Sequence, residues 1–407
     1  MGRLAGPTAI AAFLALASGP AWATQAFDDC ANLAASKYEP GYEGSGPIDY
    51  VGIDSSTSGE ITEPCQAALQ EDPTSVQVKA WLGSAYAADG KYADGLPMLE
   101  EAAKAGNVVA LRALGTLLIL GKGEKADPVR GTQLLQQAAE AGFAPAEFSL
   151  AQSYDFGDGV DADPTQAFHW YLAAAKAGVA KAQVVIGDRM QTGKGVTASD
   201  KDAFAWFSKA AAMNDAEGQY RVGIAYLEGR GIKASKTKAL ASIKASSDQF
   251  FGPGLNALGY FTQLGIGVAA DPAAAAELYS DAKGRGIPVA SYNYARLEED
   301  GTGIDADPIA ARRDYLAAAQ AGEMRAAVNL ALMELKGTGG DVDVADAIRW
   351  LRAAADAGNP AAQNNLGRLY ELGVGVEADA GKARALYEQS ADQGYKLAGD
   401  NLSRLGG

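Results

Sequence analysis

Histidine occurs once in the 407 residues, as His169, and cysteine twice, as Cys30 and Cys65. That scarcity excludes the usual Cys/His zinc sets and clustered nucleophile–base pairs, which need several such side chains. No stretch approaches the ~20 uninterrupted apolar residues that a bilayer-spanning helix requires, so a membrane-inserted chain is not expected. Positive charge is also short. Lys and Arg total 35 against 50 Asp and Glu, a net charge of −15. A nucleic-acid partner would need a basic face and is not expected either. H-E-x-x-H and G-x-S-x-G are missing, so no catalytic residue, cofactor or metal is assigned. Apolar residues at 48% and 49 glycines are what the chain has in quantity. That apolar fraction places it far from disordered compositions.

Residues 1–23 have the form of a signal peptide. Arg3 is the positive end, Ala9 to Ala17 a short apolar stretch, and Ala21-Trp22-Ala23 a small-x-small cleavage site. Cleavage between Ala23 and Thr24 would release a periplasmic or secreted chain. A buried N-terminal helix is the other reading. In an oxidising compartment Cys30 and Cys65 can pair, which would stabilise the N-terminal region by about 4 kcal/mol in the chain-entropy model. Two buried free thiols are the alternative.

A repeat of period 36 dominates the rest. G-x-G recurs at Gly121/Gly123, Gly157/Gly159, Gly193/Gly195, Gly229/Gly231, Gly265/Gly267, Gly301/Gly303, Gly337/Gly339 and Gly373/Gly375, without an insertion. An apolar column (Leu114, Leu150, Ile186, Val222, Leu258, Tyr294, Leu330, Leu366, Leu402) keeps the same step. Four positions earlier runs a column of small residues, Ala110 to Ala398. A spacing of four puts both columns on one helix face, here called helix A. Asp127-Pro128, Asp163-Pro164, Asp271-Pro272 and Asp307-Pro308 are N-caps with proline at the first helical position of a second helix, B. Ser235, Asp343 and Asp379 occupy the same cap position. Helix B ends at Gly106, Gly142, Gly178, Gly322 and Gly358, which fit left-handed stops. A single hairpin of this kind cannot bury its apolar face, whereas stacked copies can. The expectation is an all-α, right-handed superhelical solenoid of nine antiparallel helix pairs over 76–407, closed by a C-terminal half-repeat.

Leu82-Gly83-x-x-Tyr86 resembles a tetratricopeptide repeat. Leu366-Gly367-x-x-Tyr370-x-x-Gly373-x-Gly375-Val376 and Ala353-Ala354-x-Ala-Gly358 resemble the SEL-one-like repeat (SLR) branch of that superfamily. The resemblance covers about four fifths of the chain. It implies a non-enzymatic scaffold holding a protein partner, such as a peptide segment or an envelope protein. Its secreted bacterial branch implies roles in exopolysaccharide export or regulation, envelope assembly or contact with host proteins. In tetratricopeptide proteins helix A lines a concave groove. By that analogy the groove residues here are Arg112 and Thr116; Phe148 and Gln152; Tyr220; Asn256, Tyr260 and Gln263; Tyr292 and Arg296; Asn364, Arg368 and Glu371. Rings, amides and guanidinium groups suit an extended peptide, with a polysaccharide or peptidoglycan strand as the alternative.

Residues 24–75 lie outside the repeat and carry −9. They read as two short helices through Cys30 and Cys65 with a Gly/Ser/Tyr-rich loop between them. Together they form a polar cap on the first helix pair or, alternatively, an acidic docking surface. Arg230, Lys233, Lys236, Lys238 and Lys244 form a basic run with no acid from 229 to 247. A solvated helix face and a site for an anionic partner both fit it. In the same unit the glycine stop is replaced by Phe250. His169 beside Trp170 reads as a packed or surface residue. Asp155, Asp158, Asp161 and Asp163 lack EF-hand spacing, so a calcium reading gives way to a solvated turn. Ser235-Lys236-Thr237-Lys238 spells S-x-x-K, the string of a β-lactam-interacting hydrolase, without its companion motifs. The cysteine-rich, penicillin-binding subfamily of these repeats pairs cysteines within each repeat, which this chain does not.

Overall fold

The computed structural model describes residues 24–406 apart from Ser45. The signal-peptide reading of 1–23 therefore lies outside the described residues. Among those described, helices are joined by short turns except for the long connection 35–57 between the first two, and the only bridge between extended segments joins Ser36 and Ile48. The N-terminal region holds α1 (Gln25–Ala34) and α2 (Ser58–Glu71). Repeating pairs follow: α3 (Val76–Ala88) and α4 (Tyr92–Lys104), α5 (Val108–Leu120) and α6 (Pro128–Glu140), α7 (Ala144–Phe156) and α8 (Pro164–Lys176). Next come α9 (Ala180–Thr192) and α10 (Asp200–Ala212), α11 (Ala216–Glu228) and α12 (Lys236–Asp248), α13 (Gly252–Leu264) and α14 (Pro272–Gly284). The series ends with α15 (Pro288–Asp300) and α16 (Pro308–Gln320), α17 (Met324–Lys336) and α18 (Val344–Asp356), α19 (Pro360–Leu372) and α20 (Ala380–Asp392), then α21 (Lys396–Gly406). The described residues form two compact units, dividing between Ala198 and Ser199. Within each unit, A packs on its own B and B on the next A, which is an all-α solenoid. Helices A of successive pairs also touch, as α3 does α5 and α11 does α13.

The two glycines of each turn do different jobs. The first ends helix A in the left-handed region, with φ from 63° at Gly121 to 77° at Gly157, where a Cβ is costly. The second has positive φ and also lies against the start of the preceding helix B. A Cβ on Gly159 would strike the Pro128 carbonyl, and one on Gly195 the Pro164 carbonyl. Gly231 meets Asp200 and Gly339 meets Pro308 in the same way. Each hairpin is thus keyed to the one before it, and this explains a step of 36 without insertions. The caps hold as well: Asp127, Asp163, Asp271, Asp307, Asp343 and Asp379 each accept a backbone N–H in the first turn of helix B. Helix B ends on glycines with φ of 75° to 92°, except at Asn214 and Phe250. Phe250 carries a φ of 56° and is exposed.

A second pattern couples the two helices. Buried tyrosines of helix B donate to a polar residue sixteen positions earlier on helix A: Tyr279 to Gln263 at 2.9 Å, Tyr315 to Glu299 at 2.8 Å and Tyr387 to Glu371 at 2.7 Å. Where the B position is Leu135, Ile243 or Leu351, the A position is Ile119, Leu227 or Leu335. Each buried hydroxyl meets an acceptor and each buried aliphatic an aliphatic, as polar burial demands.

In the N-terminal region Cys30 and Cys65 form a disulfide. They share a core with Ile48, Ile61, Trp81 and Leu82 of the first repeat helix. The Trp81 indole N–H donates to Glu39 Oε2 at 3.1 Å. Burial pushes the Glu39 carboxyl up, and hydrogen bonds from Trp81, Ser36 and Gln77 pull it back.

Candidate binding faces

In the first unit the helix-A face is not bare. The chain between α1 and α2 runs across it. Arg112 Nη1 on α5 donates to the Val51 carbonyl at 2.8 Å, and its Nε to Ser149 Oγ at 3.4 Å. Gly52 lies so close to that guanidinium that a Cβ would collide with it. The Tyr50 ring meets the edge of Phe148 on α7 at 5.2 Å between centroids. Tyr38 reaches the Gly178 carbonyl at the end of α8, 3.3 Å away. The N-terminal region thus reaches well past the first helix pair. Arg112 and Phe148, read as groove residues, hold a segment of their own chain. Thr116 donates back to the Arg112 carbonyl, and Gln152 is exposed.

Between this strap and α3, α5 and α7 lies a cavity of about 310 Å³. Val51, Ile53, Val109, Ala113 and Leu117 give it apolar walls, and Arg112 lines it as well. Burial lowers the Arg112 guanidinium to about 10, so it stays charged at neutral pH.

In the second unit the same columns are uncovered by such a strap among the described residues. Tyr260 is 44% exposed, Arg296 is exposed, and Tyr220 and Tyr292 are half-buried. Arg296 and Arg325 both lie over the Tyr292 ring, at 5.9 and 4.7 Å. Asn256 accepts from Asn293 at 2.9 Å, and Asn364 accepts from Asn401 at 2.8 Å, one helix A to the next. Gln263 and Glu371 are engaged by the tyrosines named above, and Glu371 also pairs with Arg404. Arg368 is exposed. Of the proposed groove set in this unit, Tyr260, Arg296 and Arg368 are the open side chains.

The basic run is dispersed. Arg230 pairs with Glu228 at 2.7 Å, Lys238 lies 5.3 Å over the Tyr226 ring, and Lys233, Lys236 and Lys244 are exposed. Ser235 caps α12, accepting the Lys238 backbone N–H. His169 is exposed with its ring edge-on to Trp170. Asp155 is committed to Arg189, which is buried with it, and to Lys194 at 2.9 Å. Burial works against its charge, but these two partners win and hold the carboxyl below its usual range.

Three glutamates were not anticipated. Glu147, Glu298 and Glu334 are buried, and each has an Oε2 without a hydrogen-bond partner. Burial raises all three to about 7. The charge of Asp314 adds to the effect at Glu298, and that of Asp346 at Glu334. Glu298 and Glu334 share a repeat column, so an acid at an apolar position of the register was the available signal.

The Sel1 repeat family matches residues 108–143, 144–179, 180–215, 216–241, 252–283, 288–323, 325–359 and 360–395. The chain belongs to the Sel1 repeat family. The unit that matches over its shortest span, 216–241, is the one ending in Phe250. None of the curated proteins compared matches the chain. Among solved structures, it is similar to c5321, a protective antigen present in uropathogenic Escherichia coli strains that displays an SLR fold. That match has 27% identity and a TM-score of 0.64, over 86% of this chain and 75% of that one. A Sel1 repeat protein from Oxalobacter formigenes is 30% identical with a TM-score of 0.58, over 75% of this chain and 90% of the other. Sel1 repeat proteins generally mediate protein–protein interactions and are typically non-catalytic. No helix among the described residues is long and apolar enough to cross a membrane.

Proposed function

We propose that this Sel1 repeat protein is an exported, non-catalytic scaffold that holds an extended segment of a protein partner on the helix-A face of residues 199–407. One observation carries the reading. In residues 1–198 the equivalent face already holds an extended segment, with Arg112 on a backbone carbonyl and Phe148 against a tyrosine ring. In the second unit the matching columns offer Tyr260, Arg296 and Arg368 in the open, beside the half-buried Tyr220 and Tyr292, without such an occupant among the described residues. Guanidinium and amide groups suit peptide carbonyls, and exposed rings suit apolar side chains. Pairing of Cys30 with Cys65 supports an oxidising compartment.

The test is site-specific photo-crosslinking in the native cell. A crosslinker at Tyr260 or Arg296 is expected to trap a discrete protein adduct, and one at Ile309, exposed on a B helix, is not. Adducts at Ile309 alone, or a glycan captured at Tyr260 in place of protein, overturn the proposal.

A further inference from the structure

The cavity under the strap has an unusual charge balance. Arg112 projects into it from α5, yet among the described residues no carboxylate pairs with its guanidinium. Its two hydrogen bonds go to a carbonyl and a hydroxyl, both uncharged. A guanidinium has five N–H donors, so several remain for a further partner. The two acids at the cavity wall are spoken for. Asp49 pairs with Lys37 at 3.1 Å and accepts from Tyr38. Asp54 closes its own turn with Ser56 and Thr57. A cation partly withdrawn from water without a counter-charge is costly, and an anionic ligand group would relieve that cost. The remaining walls are mainly apolar, with Ser84 and Thr116 as hydroxyls and Lys122 as a second cation among them, and the volume of about 310 Å³ falls at the small end of ligand pockets, which run to about 1,000 Å³.

We infer that this cavity is a binding site for a small organic carboxylate with an apolar body: the carboxylate on Arg112, the body between Val51, Ile53, Val109, Ala113 and Leu117. The strap forms one wall, so the ligand would also fasten the strap to α5. The site is separate from the face proposed for the protein partner and stands or falls independently of it. Two sources carry this chemistry, a free carboxylic acid and the C-terminal carboxylate of a peptide ending in an aliphatic residue.

The test is calorimetric titration of the full chain with octanoate, with octan-1-ol as its uncharged counterpart, and with acetyl-Ala-Leu-Leu as free acid and as amide. Octanoate is expected to bind at least about tenfold more tightly than octanol, the span of a hydrogen-bonded charge. Arg112→Met should remove that preference. Ala113→Leu, which fills the cavity and leaves the charge, should weaken both probes while helical circular dichroism stays unchanged. A tighter peptide acid whose binding is lost on amidation assigns the site to a chain terminus, and a tighter octanoate assigns it to a free acid. Equal binding of octanoate and octanol, octanoate binding untouched by both substitutions, or no binding by octanoate or the peptide acid up to about 10 mM overturns the inference.

Discussion

Raising the pH should loosen the repeats around α15 to α18, and two conservative substitutions should prevent it. Glu298 and Glu334 are 5% and 4% exposed and titrate at about 7 instead of near 4.5. Glu298 faces Asp314 and Asp307 with Lys283 and Arg313 opposite; Glu334 faces Asp346 and Asp343 with Arg312 at 3.7 Å. A carboxyl whose folded value is raised contributes most when neutral in both states. Its contribution is therefore whole below about 4.5 and is lost as pH climbs to about 7, because the unfolded chain releases the proton first. Each such group weakens the fold at pH 8 by up to about 3 kcal/mol, from the size of the shift and ~1.4 kcal/mol per unit. Glutamine matches the neutral acid in shape. Glu298→Gln with Glu334→Gln should leave the urea midpoint at pH 5 nearly unchanged and raise it at pH 8. Amide hydrogen exchange should place the gain in 288–356, since long repeat arrays need not unfold in one step. A double variant with the same pH dependence as the parent refutes the reasoning.

Phe250→Gly should stabilise the second unit by about 1 kcal/mol, the cost of a left-handed φ for a residue with Cβ, less the contact with Arg285 at 5.1 Å; a lower melting midpoint would contradict this. Gly159→Ala should cost more than about 2 kcal/mol, because backbone rather than a yielding side chain meets the new methyl, whereas Gly142→Ala, with open space around it, should cost about 1 kcal/mol through φ alone. Cys30→Ser with Cys65→Ser should remove about 4 kcal/mol from the N-terminal region by the loop-entropy estimate, read as early proteolytic cleavage of the strap with the core of 199–407 intact. Tyr315→Phe should cost about 1 kcal/mol, since Glu299 and Asn329 both lose a partner, whereas Leu351→Met at the same register should cost less.

Local chemistry made the repeat legible. Caps, stops and turn glycines act within a few residues, so Asp163, Gly157 and Gly178 could be placed from spacing alone. The tyrosine–acceptor coupling was equally written in the columns, as Tyr279 with Gln263 shows, but it needs two positions compared at once. The strap was not legible. Tyr50, Val51 and Gly52 follow no period, and their partners Arg112 and Phe148 lie 61 and 98 residues further along the chain, where only the folded path brings them together. Arg112 accordingly looked like an open groove residue. Phe250 was visible as a broken stop, and its φ shows that the turn kept its geometry after losing its glycine.

The keyed glycine of each turn has a consequence for how such a chain can change length. A single extra residue between Gly157 and Gly159 would move the contact point away from Pro128 and unseat that hairpin from the one before it. Whole modules can be gained or lost without that penalty, because each brings its own key and its own keyhole. The molecule can therefore grow or shrink only in steps of one complete hairpin, and its reach is quantised by the fit of one missing methyl group.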